Sequence, residues 1–180
     1  MSIRALTLAA PLCLGISAPA VRQGKPAPDV LRRPGETTVF SFVTSSGKTA
    51  SLCEGPKAAY LVYRFGTAAK TELQYPAKLD ASSWRKFTYW AYHRPGGVEN
   101  AGMENYQLSF QNGGVKYTLN DYTEAYLLKN GDEDYRRTVI FNVVLNGKTV
   151  KIGVRQASVN GDLSLSDEQR ERVTVEGEGE

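Results

Sequence analysis

The sequence predicts an all-β protein, an antiparallel sandwich or small barrel of about eight to ten strands built from hairpins. Three observations carry that expectation. Short runs rich in β-branched and aromatic residues recur between turn signals along most of the chain. Asn146-Gly147 stands between RTVIFNVVL and KTVKIGV, the strongest short-range hairpin signal there is. Apart from one short stretch near the end, no segment shows the 3.6-residue period of an amphipathic helix.

The chain has 180 residues, enough for one domain with a real core. Its 41% hydrophobic and 23% charged residues are those of a globular protein. The formal net charge is only +3, which argues against a dedicated duplex-DNA binder. The charge is uneven, however. Residues 21–100 hold twelve Lys and Arg against six Asp and Glu, whereas residues 101–180 hold nine against thirteen. The first half therefore suits an acidic partner, or is simply a solvated surface.

Taken in order, residues 1–20 read as a secretory signal peptide. Arg4 precedes an apolar run, and small residues end at Ala18-Pro19-Ala20, with cleavage expected after Ala20. The run is too short to span a bilayer stably, and no transmembrane segment is expected elsewhere. Leu12 before Cys13 argues for free export to the periplasm or beyond rather than a lipid anchor. Cleavage leaves Cys53 as the one cysteine, which reads as a small buried hydrophobe with no internal disulfide. Residues 21–36, with three prolines and four basic residues, read as a flexible basic leader.

A single β domain is expected over residues 37–165. TTVFSFVT and TASLC form a first hairpin around Ser46-Gly47. AYLVYRF and TELQYP form a second. With a loop over residues 66–70, Tyr63 opposes Leu73 and Arg64 opposes Glu72, which pairs apolar with apolar and charge with charge. WRKFTYWAYHR reads as the next strand. Phe87, Tyr89 and Ala91 fall on its core side, and Lys86, Thr88, Trp90, Tyr92 and Arg94 on the other. The loop that follows, with Pro95, Gly96, Gly97 and Gly102, is long enough to suggest function. A third hairpin joins ENYQLSF to VKYTLND with residues 111–114 as its loop. Residues 121–136 are ambiguous, with Asp132, Glu133 and Asp134 as an exposed turn. Across Asn146-Gly147 the pairs are Val143 with Val150, Phe141 with Ile152 and Val139 with Val154. Residues 166–180 form an acidic tail that frays at its end, with one helical turn capped by Ser166.

Most catalytic chemistry finds little support. His93 is the only histidine, so any Ser-His or Cys-His pair must use it, with Cys53 or a serine as nucleophile. No G-x-S-x-G elbow is present. One His and one mature Cys do not suffice for zinc, and no EF-hand spacing exists for calcium. No metal and no cofactor are expected. Neither an RNP-like motif nor a GXXG loop is present, and no nucleic-acid partner is expected. What stands out is Trp90 and Tyr92 beside basic residues on a face that normally holds small polar groups. Such a face is either a contact surface or a second core side.

At GKTASLC, YRFG, ELQYP and FTYWAYHRPGG the chain resembles a group of uncharacterised small exported bacterial β-proteins. They share K-x-x-S-L-C, Y-R-F-G, E-L-x-Y-P and an aromatic strand ending in a Gly-rich loop. The likeness covers roughly Thr38 to Tyr117 and implies export and an all-β fold. It also implies a disulfide from Cys53 to the preceding strand, but Phe40 and Phe42 occupy that strand here. More loosely, the form is similar to periplasmic inhibitors of c-type lysozyme, which insert a loop into an acidic cleft; no residue carries over from them.

These readings converge on an exported, non-enzymatic binding protein. Its expected partner is a protein with an acidic surface or cleft, such as a cell-wall hydrolase or toxin, recognised in an inhibitor- or immunity-like way. The expected contact residues are Arg64, Trp90, Tyr92, His93 and Arg94. A glycan- or envelope-binding module, a hydrolase using Cys53 or a serine with His93, and a structural envelope component are the alternatives. The oligomeric state is left open.

Overall fold

A computed structural model describes residues 27–96 and 101–177 of the chain. The expected signal peptide and the first part of the leader lie outside the described residues. So do the middle of the loop after Arg94 and the last three residues.

The architecture is an all-β sandwich of two sheets, with no closed barrel. The strands are β1 (Thr37–Val43), β2 (Thr49–Glu54), β3 (Leu61–Thr67), β4 (Lys70–Tyr75), β5 (Thr88–Arg94), β6 (Met103–Asn112), β7 (Val115–Leu127), β8 (Glu133–Leu145) and β9 (Lys148–Ile152). Two-residue strands β10 (Asn160–Gly161) and β11 (Thr174–Val175) complete the set. The first sheet has the order β10-β1-β2-β3-β4 and the second β11-β5-β6-β7-β8-β9. All neighbours are antiparallel except β11, which runs parallel to β5. Among the described residues no helix is long and apolar enough to cross a membrane.

The core lies between the sheets and is rich in aromatic side chains. Phe40, Phe42, Leu52, Leu61 and Tyr63 of the first sheet meet Tyr89, Leu108, Phe110, Leu119 and Phe141 of the second. Ring pairs cross the gap, as in Tyr63–Phe110 at 4.9 Å and Phe42–Phe141 at 5.7 Å between centroids. Asp121 and Arg137 of the second sheet make a polar tie, in which Arg137 also donates to the Gly161 carbonyl of β10. The buried Asp121 carboxylate takes two 2.7 Å bonds from Arg137 and one from the Leu163 amide, which seats Leu163 and Leu165 in the core.

The Asn146-Gly147 hairpin forms as expected, with both residues at positive φ and Val143 opposite Val150. The Val139–Val154 pair does not form. β9 stops at Ile152, Val154 bridges to Thr44, and the Gln156 side-chain amide takes both the N–H and the C=O of Val139.

Two hairpin registers differ from expectation by two residues. Phe65 opposes Leu73 and Arg64 opposes Gln74, with a bulge before Gly66 and only Ala68 and Ala69 in the turn. A Cβ at Gly66 would strike the Lys70 carbonyl, so the bulge needs glycine there. Glu72 therefore does not face Arg64 and pairs with Lys48 at 2.6 Å. Likewise Phe110 opposes Tyr117, because the turn is the tight Gly113-Gly114 pair. Tighter turns exploit glycine at positive φ. A two-residue slip preserves which side chains face the core.

Three boundaries also change. The segment from Trp84 is not strand: residues Ala81–Lys86 form a 3-10 helix capped by Asp80, with Trp84 buried and its indole donating to the Ala58 carbonyl. The strand starts at Thr88. The C-terminal segment is not a frayed tail through Val175. Ser166 and Gln169 form a reciprocal capping box on helix α1 (Asp167–Arg172), Val173 is fully buried, and β11 extends the second sheet.

The largest correction concerns the leader. From residue 27 onward it is docked on the outer face of the first sheet rather than flexible. Asp29 accepts from the hydroxyls of Ser51 (2.6 Å) and Thr38 (2.9 Å) and from the Leu31 amide, and Leu31 is buried. Glu36 receives both terminal nitrogens of Arg64 at 2.7 and 2.8 Å, the Arg33 amide and the Tyr60 hydroxyl. The remaining Arg64 donors reach the Leu31 carbonyl and the Gln74 side chain. Burial alone would raise the Glu36 carboxyl, but hydrogen bonds from Arg64 and the Arg33 amide, with the Arg64 charge, hold it below its ordinary value.

Two predictions follow from this packing. Glu36→Gln should cost about 3–5 kcal/mol in urea unfolding near neutral pH, because it strands a buried guanidinium. A carboxylate with a lowered folded pKa stabilises above its unfolded value and loses that contribution as pH falls through the folded value. The gap between wild type and Glu36→Gln should thus shrink on acidification below the ordinary value of 4.5. The Tyr63 hydroxyl is fully buried with no hydrogen-bond partner among the described residues. Tyr63→Phe should therefore raise stability by about 1 kcal/mol, read from the same denaturation midpoint.

Candidate functional site

The expected contact residues divide among three places. Only Trp90, Tyr92 and Arg94 come together. They are alternate residues of β5, on the side away from the core residues Tyr89 and Ala91. The Trp90 and Tyr92 rings lie 6.1 Å apart between centroids and within 7° of parallel. Both are half-buried, and neither belongs to the core cluster. The face is thus a lined outer surface, not a second core.

Arg64 does not join them. It is 1% exposed on the outer face of the first sheet, locked to Glu36 beneath the leader. No local pattern in the sequence marks the leader as the cover of Arg64, since the Glu36 partner lies 28 residues away. His93 is on β5 but its parity differs from that of Trp90, Tyr92 and Arg94. Its side chain emerges on the opposite side of the sheet, 62% exposed, with Nδ1 3.5 Å from Glu104 Oε1 on β6.

Neighbouring strands extend the Trp90 face. Trp90 opposes Gln107, which opposes Asn120; Tyr92 opposes Asn105, which opposes Tyr122. Arg94 opposes Met103, then Glu124, then Arg136. The register sets these rows on one side, since directly paired residues share a face. Tyr122 donates to Glu124 at 3.0 Å, Tyr126 donates to Asp134 at 2.6 Å, and Arg136 sits 5.1 Å from the Tyr126 ring. Arg94 donates twice to the Ala101 carbonyl, so it also anchors the far side of its loop. Glu124 and Asp134 are bonded to neighbours on this face, while amides and rings dominate around Trp90.

Tyr122, Tyr126 and Arg136 fall in the stretch that the sequence left ambiguous. It is the turn end of a long ribbon, since β7 and β8 are 13 residues each and pair up to Leu127 with Glu133. The period-two pattern Tyr122, Glu124, Tyr126 was the available signal. It was masked because the adjacent acidic and basic residues read as loop.

The nucleophile alternatives separate too. Cys53 lies on β2 of the first sheet and His93 on β5 of the second, so they form no pair. The Cys53 thiol is completely buried, 3.2 Å from the Ser51 hydroxyl and 3.5 Å from Asp29. Burial, reinforced by the charges of Asp29 and Glu36, pushes it up to about 12. Among the described residues no group of three or more His, Cys, Asp or Glu is arranged to hold a metal ion.

Comparison of the chain with family models, with curated proteins and with solved structures found no match.

The protonated, covered thiol yields a direct expectation. Cys53 should fail to react with Ellman's reagent in the native protein over hours at pH 8 and react fully in denaturant. Asp29→Ala, which loosens the leader, should bring native reactivity into the range of minutes.

Proposed function

We propose that the protein is an exported, non-enzymatic binding module that engages a partner protein through the outer face of its second sheet. The observation that carries this reading is the near-parallel Trp90–Tyr92 pair on the side of β5 that faces away from the core. Large flat side chains bring much contact area at low conformational cost, and Trp, Tyr, Met and Arg are the residues enriched at protein interfaces. Met103, Tyr122 and Arg136 add to that composition on the adjoining strands. The pattern in residues 1–20 supports export.

The chemistry of the partner is revised by the placement of the basic residues. With Arg64 under the leader and His93 on the other side of the sheet, the positive groups on this side near the loop are Arg94 and Arg136, and Lys116 and Lys151 lie further along it. Arg94 is bonded to a carbonyl, and Arg136 lies 3.9 Å from Glu124. A partner patch that is apolar and aromatic opposite the ring pair, with a polar rim that meets Lys116 and Lys151, complements the face. An inhibitor- or immunity-like role remains the proposed biological setting.

The test is a pull-down from envelope extract with the wild type and with Trp90→Ala/Tyr92→Ala, each first shown to be folded by near-ultraviolet circular dichroism. A single stoichiometric protein should be captured by the wild type. Truncating the rings should weaken its binding by at least about 1–2 kcal/mol, roughly ten-fold in Kd. Equal capture by both proteins would remove this face from the interface.

A further inference from the structure

The edges of the two sheets are not alike. β4 closes one side of the first sheet, with Lys70 and Glu72 along it and Pro76 just beyond. β9 closes one side of the second sheet with Lys148 and Lys151. Charged side chains and proline on an edge strand keep further strands from adding to it. β5 differs. Its outer edge is paired to β11 only at Thr88 and Tyr89, and the Glu176 amide adds one bond to the Tyr89 carbonyl. From Trp90 to Arg94 the strand is paired, among the described residues, on the β6 side alone. Trp90, Ala91 and Tyr92 place no charge there. Backbone groups alternate in direction along a strand, so the N–H and C=O of Ala91 and His93 continue the row that Tyr89 presents to β11.

A cleft of 380 Å³ adjoins this edge and is lined by Ala91, Tyr92 and His93 in succession. Successive side chains point to opposite sides of a strand, so a cleft touched by all three wraps around the edge of β5. Tyr89, Tyr106 and Leu165 line it further, and Ser164 and Arg170, the latter paired with Asp167, form its polar rim. Arg94 stands at the far end of the edge. It donates to the Ala101 carbonyl and has no carboxylate partner among the described residues.

We propose that an extended, apolar peptide segment ending in an acidic residue adds to the edge of β5 as a parallel strand in line with β11. This rests on the reading of the protein as a binding module and names what its partner offers beside the Trp90–Tyr92 pair. The unpaired row selects a peptide backbone, because a simple anion offers acceptors only and a sugar lacks alternating donors and acceptors at strand spacing. The parallel direction is that of β11, which already occupies the same edge. Directly paired residues share a face, so segment residues facing Ala91 and His93 turn toward the cleft, where aliphatic side chains meet Tyr89, Tyr106 and Leu165. The residue facing Arg94 lies on the outer face with it, where a carboxylate pairs with the guanidinium.

The probe is the peptide acetyl-Val-Thr-Val-Glu-amide, whose valines face Ala91 and His93 and whose glutamate faces Arg94. The whole chain, labelled with ¹⁵N, is titrated with it while amide signals are followed. Saturable shifts should cluster at residues 91–94 and 164–165. In the parallel register the second and fourth peptide amides donate to the Ala91 and His93 carbonyls. N-methylating those two should weaken binding about ten-fold or more, and N-methylating the first and third less than about two-fold. The wild type should prefer the glutamate peptide to its glutamine analogue about three-fold, and Arg94→Gln should abolish that preference. Absence of shifts, shifts centred away from this edge, equal or reversed effects of the two methylation patterns, or no glutamate preference would each overturn the proposal. Binding that emerges only when residues 178–180 are removed would overturn it in favour of the chain's own continuation of β11. A dimer in sedimentation equilibrium that competes with the peptide would overturn it in favour of a second copy. Methylation alters no side chain of the protein, so this test is separate from that of Trp90→Ala/Tyr92→Ala. Peptide binding without partner capture retains the edge site and removes the face, and capture without peptide binding does the reverse.

Discussion

The buried contact between Arg64 and Glu36 is the constraint on which the first sheet depends. A guanidinium at 1% exposure must find partners for its donors, and it finds the Glu36 carboxylate, the Leu31 carbonyl and the Gln74 amide. Such pairs add little net stability over an apolar replacement, but breaking one partner is costly, so they specify arrangement. Here the arrangement is the course of residues 29–36 across the outer face of β1–β3. Asp29 completes it by taking hydroxyl donors from Thr38 and Ser51. The segments K-x-x-S-L-C, Y-R-F-G and E-L-x-Y-P acquire a structural meaning in this light. They supply Ser51 and Cys53, Arg64 and Gly66, and Gln74, the members of the leader's seat and of the bulge beside it.

This seat makes the two sheets unequal. The first sheet is covered inside by the core and outside by the leader. The second sheet is covered inside by the core and by the segment through Leu163, Leu165 and Val173, and its opposite side carries half-buried rings outside the core cluster. Its outer rows are aromatic and amide-rich, and two hollows lined by residues from both of its sides lie next to His93.

The candidate site was partly legible in the chain. Trp90, Tyr92 and Arg94 share a face because side chains alternate along a strand, and that alternation is written in FTYWAYHR. The same rule places His93 on the other side, although it stands between Tyr92 and Arg94 in the chain. Tyr122 and Tyr126 were not recognised, since the charged stretch from Asp121 to Arg136 resembles a loop in composition. As a ribbon of 13-residue strands it gains its pairing from hydrogen bonds that composition does not report.

By itself the sequence determined the fold class, four of the hairpins and which residues of their strands face the core. These follow from local rules: β-branched and aromatic propensity, glycine-rich turns and a side-chain period of two. That period explains why registers wrong by two residues still assigned every face correctly in β3, β4, β6 and β7. Tertiary structure alone decided whether Arg64 meets water or Glu36, whether residues 29–36 and 166–175 are appendages or parts of the fold, and which outer face is left lined but uncovered. Each of these turns on a contact between residues far apart in the chain, such as Arg64 with Glu36 or Val173 with the core. No local pattern encodes them, because the same charged or apolar residue is equally at home in solvent, in a turn or beneath a covering segment until its partner is brought to it.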